Sequence, residues 1–126
     1  MAMAHMLIAT DNVGLYQVFA AELEGDRHEV HWAVNGKEAF DMLVESMPDL
    51  AFLDVHLPLF SGLGLSELIR AEPAIPSEFP IVLLSDDPID PHVVEKTRVS
   101  AVFPKQHLAQ DLRELICRLL GPQAAA

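Results

Sequence analysis

The sequence predicts an α/β domain in which a parallel sheet carries helices on its faces, and three observations lead there. Short apolar runs of β type alternate with amphipathic stretches; most of the runs are apolar without a break, as strands covered on both faces are; and polar residues gather just beyond the runs. A length of 126 residues leaves room for one domain, and a 51% apolar composition is ample for its core. Disorder is excluded on the same composition.

Residues 1–5 lack periodicity and are set aside as a tail, so the domain is expected over residues 6–120, with 121–126 as a second tail. Residues 6–10 form an unbroken apolar run that ends at Thr10 and Asp11. Leu15, Val18, Phe19 and Leu23 then recur at helical spacing until Gly25 stops them. Residues 28–34 alternate polar and apolar, the pattern of a half-exposed strand at a sheet edge. Asn35 and Glu38 stand at capping-box spacing before Phe40, Leu43, Val44 and Met47, which predicts a second helix. Pro48 and Asp49 open a buried strand over residues 50–54, whose last residue is Asp54. The loop from His56 to Gly62 leads into a helix carrying Leu63, Leu65, Leu68 and Ile69. Pro73, Pro76 and Pro80 interrupt the chain before a fourth strand over residues 81–85. Pro91 fits the first turn of a short polar helix reaching about Arg98. Residues 100–103 make a fifth strand with Lys105 just beyond it. Leu108, Leu112, Leu115, Ile116 and Leu119 stripe a last helix that Gly121 and Pro122 end.

Nineteen acidic against eight basic residues give a net charge of −11, so the surface repels nucleic acid and anionic membrane alike. No apolar run approaches the ~20 residues of a membrane span and no signal peptide is evident; with one cysteine, Cys117, no internal disulfide can form, and a cytoplasmic protein is expected. Cys117 and Trp32 read as packing residues. His28 and His31, three apart on one strand, are expected to face opposite sides, and no metal-ligand spacing is found among the six histidines. His92 and His107 read as surface residues at helix starts.

Open parallel sheets bind ligands beyond the carboxyl ends of their strands. Thr10, Asp11, Asp54, Ser85 and Lys105 all fall there. Two carboxylates side by side repel unless a cation joins them, and hard oxygen donors suit Mg²⁺. A lysine and a serine beside them can hold phosphate oxygens, and Asp54 is a carboxylate nucleophile able to accept a phosphoryl group. In isolation each residue has a plainer reading: Asp11 as a helix cap, Ser85 as a strand end, Lys105 as a solvated surface lysine.

Residues 48–54 with Pro58 and Gly62, together with Asp11, Ser85 and Lys105, resemble the receiver domain of two-component response regulators over residues 6–120. The resemblance implies a flavodoxin-like (βα)5 three-layer sandwich with its five parallel strands in the order 2-1-3-4-5. Asp54 would be the phosphoacceptor; Asp11, Asp54 and the His56 backbone carbonyl would hold Mg²⁺; Ser85 and Lys105 would hold phosphoryl oxygens. The donor would be a histidine kinase or a phosphotransfer protein. The output would pass to a downstream protein or domain through the face formed by the fourth helix, fifth strand and fifth helix, with a homodimer left open. Such a domain is a regulated binding module and not an enzyme.

Several positions depart from the family pattern. Thr10 stands where a second acid is usual, so it reaches the metal only indirectly and weaker Mg²⁺ binding is expected. Val102 occupies the place of an aromatic switch residue, with Phe103 one position later. Asp86 follows Ser85 where a small residue is usual, and its carboxylate is expected to hinder anionic donors; Gln106 replaces a proline. These departures support an alternative, a degenerate receiver that binds partners without phosphorylation. A phosphohydrolase or flavin protein fits less well: no second aspartate follows Asp54 two residues on, and no glycine-rich loop follows the first strand. A chain stopping after its fifth helix fits either a single-domain regulator or a receiver taken from a longer protein.

Overall fold

The structure, a computed structural model, describes residues 4–106 and 109–121. Five strands alternate with five helices: β1 (His5–Ala9), α1 (Val13–Gly25), β2 (Glu29–Ala33), α2 (Gly36–Ser46), β3 (Leu50–Asp54), α3 (Gly62–Ala71), β4 (Ile81–Leu84), α4 (Pro91–Thr97), β5 (Ala101–Phe103) and α5 (Ala109–Leu120). All pairings are parallel and the sheet order is β2-β1-β3-β4-β5, the flavodoxin-like arrangement.

Alternation along the strands splits the core into two layers. Met6, Ile8, Phe52, Val82 and Leu84 pack against Phe19 and Leu23 of α1 and Leu112, Leu115 and Ile116 of α5. Leu7, Ala51, Leu53, Ile81 and Leu83 face the other way, onto Ala39 and Leu43 of α2 and Leu65 and Ile69 of α3. Burying each large side chain contributes roughly 1.5–3 kcal/mol, so the central strands anchor the fold. β2 lies at an edge and is only partly covered, as its alternating pattern implied.

The helical stripes are narrower than the sequence periodicity suggested. Val18, Val44, Met47 and Leu68 are exposed, while Phe19, Ala20 and Leu23 of α1, Ala39 and Leu43 of α2 and Leu65 and Ile69 of α3 are buried. The first helix is capped by Asn12, whose Oδ1 accepts the Leu15 N–H at 3.1 Å, so Asp11 is not its cap. Asn35 caps α2 through the Glu38 N–H at 2.8 Å, as its spacing predicted. Asp90 caps α4 ahead of Pro91, and Gly121, at φ +99°, closes α5 with its N–H on the Cys117 carbonyl. The sheet begins at His5, one residue earlier than expected, and Ala4 is buried beside it. The readings of His107, Leu108 and Pro122 lie outside the described residues.

Candidate functional site

Asp54 ends β3, the central strand, where the residues before it are fully buried and the chain turns at once into the loop to α3. That geometry leaves Asp54 only 2% exposed. A buried carboxylate needs compensating donors. Lys105 Nζ lies 2.8 Å from Oδ1, the His56 N–H donates to the same oxygen at 2.9 Å, and the Thr10 hydroxyl donates to Oδ2 at 2.7 Å. Burial pushes the Asp54 carboxyl up, but these hydrogen bonds and the lysine charge outweigh it and hold the group below its ordinary range. Asp54 is therefore held ionised, with both carboxylate oxygens fixed by donors.

Parallel pairing brings the partners to it. β1 and β4 flank β3, and β5 lies beyond β4, so Thr10, Ser85 and Lys105 leave the sheet along one rim. Gly62 lies under the loop: a Cβ there would sit 2.7 Å from the Asp54 carbonyl oxygen, so only glycine lets α3 start so close. Pro58 is exposed, and its carbonyl accepts the Gly36 N–H at 2.9 Å, which ties this loop to α2.

The sequence expectations are met unevenly. Asp54, Lys105 and Thr10 are in contact, whereas Asp11 is exposed in the turn after β1. Ser85 Oγ is held by its own turn, donating to the Asp87 carbonyl at 3.0 Å and accepting the Asp87 N–H at 3.2 Å. Asp86 is exposed, and its Oδ1 accepts the N–H groups of Lys105 at 2.7 Å and Gln106 at 3.2 Å, bracing the loop that presents the lysine. Val102 points outward at 38% exposure while Phe103 turns into the core, edge-on to Phe19. Their sides are reversed with strand alternation, so the aromatic ring of β5 is a core residue and the surface position is aliphatic.

Sequence reasoning read Trp32 as a packing residue and missed its tie to the site. Its indole N–H donates to the Thr10 carbonyl at 2.8 Å and its ring stacks on Tyr16 at 4.3 Å, so it braces the residue that braces Asp54. A half-buried tryptophan on an edge strand carried no signal of this, since the contact depends on the β1–β2 register.

An ionised carboxylate paired with a lysine at the carboxyl rim of a five-stranded parallel sheet, with oxygen donors beside it, defines a flavodoxin-like protein with a polar strand-end site. Comparison with known proteins narrows the class. The family described as Response regulator receiver domain matches residues 6–116, and the chain belongs to that family. The uncharacterized transcriptional regulatory protein YkoG of Bacillus subtilis is 35% identical over 85 residues, covering 68% of this chain and 36% of that protein. This chain thus spans little more than a third of that relative. A putative response regulator from Chloroflexus aurantiacus superimposes with a TM-score of 0.86 at 24% identity, over 94% of this chain and 98% of that one. The receiver domain of the sensor histidine kinase PA1611 from Pseudomonas aeruginosa, which has a magnesium ion in its active site cleft, gives 0.83 at 20% identity, over 95% and 99%. Both likenesses concern the fold.

Proposed function

We propose that this receiver domain accepts a phosphoryl group on Asp54 from a phosphohistidine of a histidine kinase or phosphotransfer protein. A carboxylate oxygen of Asp54 attacks phosphorus, the P–N bond breaks, and the imidazole leaves with the electron pair and takes up a proton. The observation that carries this reading is the ionised Asp54 with Lys105 2.8 Å away. Lys105 is placed to move from the carboxylate to a phosphoryl oxygen as charge builds there, and Ser85 can follow once it releases the Asp87 backbone.

The donor set suits Mg²⁺ in kind: Asp11 is an exposed carboxylate, Asp54 Oδ2 has one hydrogen bond and so a lone pair to spare, and the His56 carbonyl is a third hard oxygen. Bound there, the cation would neutralise charge on the transferred group. Thr10 adds a hydroxyl where a carboxylate would add charge, which weakens the expected affinity.

Exposed Val102 on β5, between α4 and α5, lies on the face we assign to the downstream protein or domain, or to a second copy of this chain. A phosphorylation-independent module is the weaker reading, because the Asp54–Lys105 pair that such a protein no longer needs is intact. We place the domain in the cytoplasm on its composition; no helix among the described residues is long and apolar enough to cross a membrane. The reading is tested by incubation with Mg²⁺ and a small phosphodonor or beryllofluoride, followed by intact mass and amide spectra. An added phosphoryl mass and shifted amides, both lost in Asp54→Ala, are expected; unchanged mass and spectra overturn the proposal.

A further inference from the structure

His5, Glu29 and His31 meet at the far end of the sheet. Parallel pairing sets His5 opposite Glu29 and Leu7 opposite His31, so all three side chains project from one face, at the start of an edge strand. The expectation that the histidines show no metal-ligand spacing did not consider this group. It rested on spacing within one strand, and this group is assembled across two.

We propose that these three residues form a second cation site, for a zinc-class transition metal. His5 Nδ1 lies 3.3 Å from one Glu29 carboxylate oxygen and His31 Nε2 lies 3.5 Å from the other. One ligand atom from each of the three residues falls within 4.8 Å of the other two. Metal–nitrogen and metal–oxygen bonds of about 2.0–2.1 Å put tetrahedral ligands about 3.3–3.4 Å apart, and each imidazole nitrogen already stands near that distance from one Glu29 oxygen, though not from the same one. The imidazole planes differ by 14° with centroids 6.4 Å apart, and the side chains would turn toward a shared carboxylate oxygen to take the ion. The backbone is held in place: Asp49 Oδ2 accepts the His5 N–H at 2.9 Å, and the strand ladder fixes Glu29 and His31. Three protein donors leave a fourth position to water.

The site is separate from the acidic rim in place and in chemistry. His5 opens β1 while the rim lies beyond its other end, about 13 Å along the strand at ~3.3 Å per residue. Two imidazoles and one carboxylate select zinc-class ions, whereas the all-oxygen rim suits Mg²⁺.

Calorimetric titration of the whole chain with Zn²⁺ alone, in a large excess of Mg²⁺ to fill the rim, tests the proposal. One Zn²⁺ per chain is expected. Affinity should fall by about tenfold or more in His5→Gln and in His31→Gln, each of which removes one ligand, and should persist in the Asp11→Asn, Asp54→Asn double variant. The two histidines are half-exposed, so these variants keep the fold, which circular dichroism checks. Co²⁺ should give the intense visible bands of tetrahedral coordination. Absence of stoichiometric binding, equal affinity in His31→Gln, or loss in the rim variant overturns the proposal and leaves the cluster as an ion-pair network.

Discussion

Thr10 occupies a position where charge and hydrogen bonding give opposite consequences. Fully buried, its hydroxyl satisfies Asp54 Oδ2 without adding a second negative charge. Thr10→Asp should therefore bind Mg²⁺ more tightly in a titration and, without Mg²⁺, melt at a lower temperature than the parent, since two carboxylates would then share one buried pocket. Lys105 answers the same carboxylate from the other side. Lys105→Met leaves Asp54 buried without its cation and should cost on the order of 2–3 kcal/mol in urea unfolding. That is at or below the low end for breaking a buried pair, because the lysine side chain is 21% exposed. These residue types were legible in the sequence because each ends a strand. Their hydrogen bonds were not, and Asp86 shows why: its neighbours in sequence gave no hint that its carboxylate turns back onto the amides of Lys105 and Gln106 nineteen and twenty residues away.

At the scale of elements, the loops hold the site as firmly as the strands do. Because Asp86 braces the turn after β5, Asp86→Ala should slow phosphorylation from small donors, as the lysine loses its support, and lower stability by about 1 kcal/mol. Faster phosphorylation would restore the view of Asp86 as an electrostatic barrier. Gly62→Ala drives a methyl group to 2.7 Å from the Asp54 carbonyl oxygen, so α3 must retreat. A loss of roughly 1–3 kcal/mol and altered amide signals at Asp54 and His56 are expected. The order of elements and most boundaries were legible because proline, glycine and capping residues mark them. The buried face of each helix was less so. Val18, Val44 and Leu68 satisfy helical periodicity yet lie outside, since a sheet accepts a narrow stripe and small residues such as Ala39 decide where that stripe falls.

For the molecule as a whole, two buried groups set the response to acid. Burial keeps the His28 imidazole below its ordinary value of 6.5, against an opposing pull from Asp26, and its Nδ1 accepts the Ala4 N–H at 3.3 Å. Above pH 6.5 the ring is neutral folded or unfolded; below it the unfolded chain binds a proton that the fold refuses, so stability falls as pH drops. Asp54, held below 3.8, contributes stability that is fully present above that value and is lost as pH falls through its folded pKa. Unfolding in urea should thus show two declines on acidification, and His28→Gln, which keeps an acceptor for the Ala4 amide, should abolish the first. The sheet order came from the family resemblance rather than from the residues. Strand alternation predicts which side chains share a face but not which strands are neighbours, and the meeting of His5 with His31 depends on neighbours.

Trp32 is the chain's one tryptophan, and it is stacked on the one tyrosine. Its indole proton rests on the backbone of Thr10, a single hydrogen bond away from Asp54. The protein therefore carries its own optical gauge: emission from one ring reads the state of the rim without any dye, and quenching or a colour shift on adding Mg²⁺ or beryllofluoride would follow occupancy in real time.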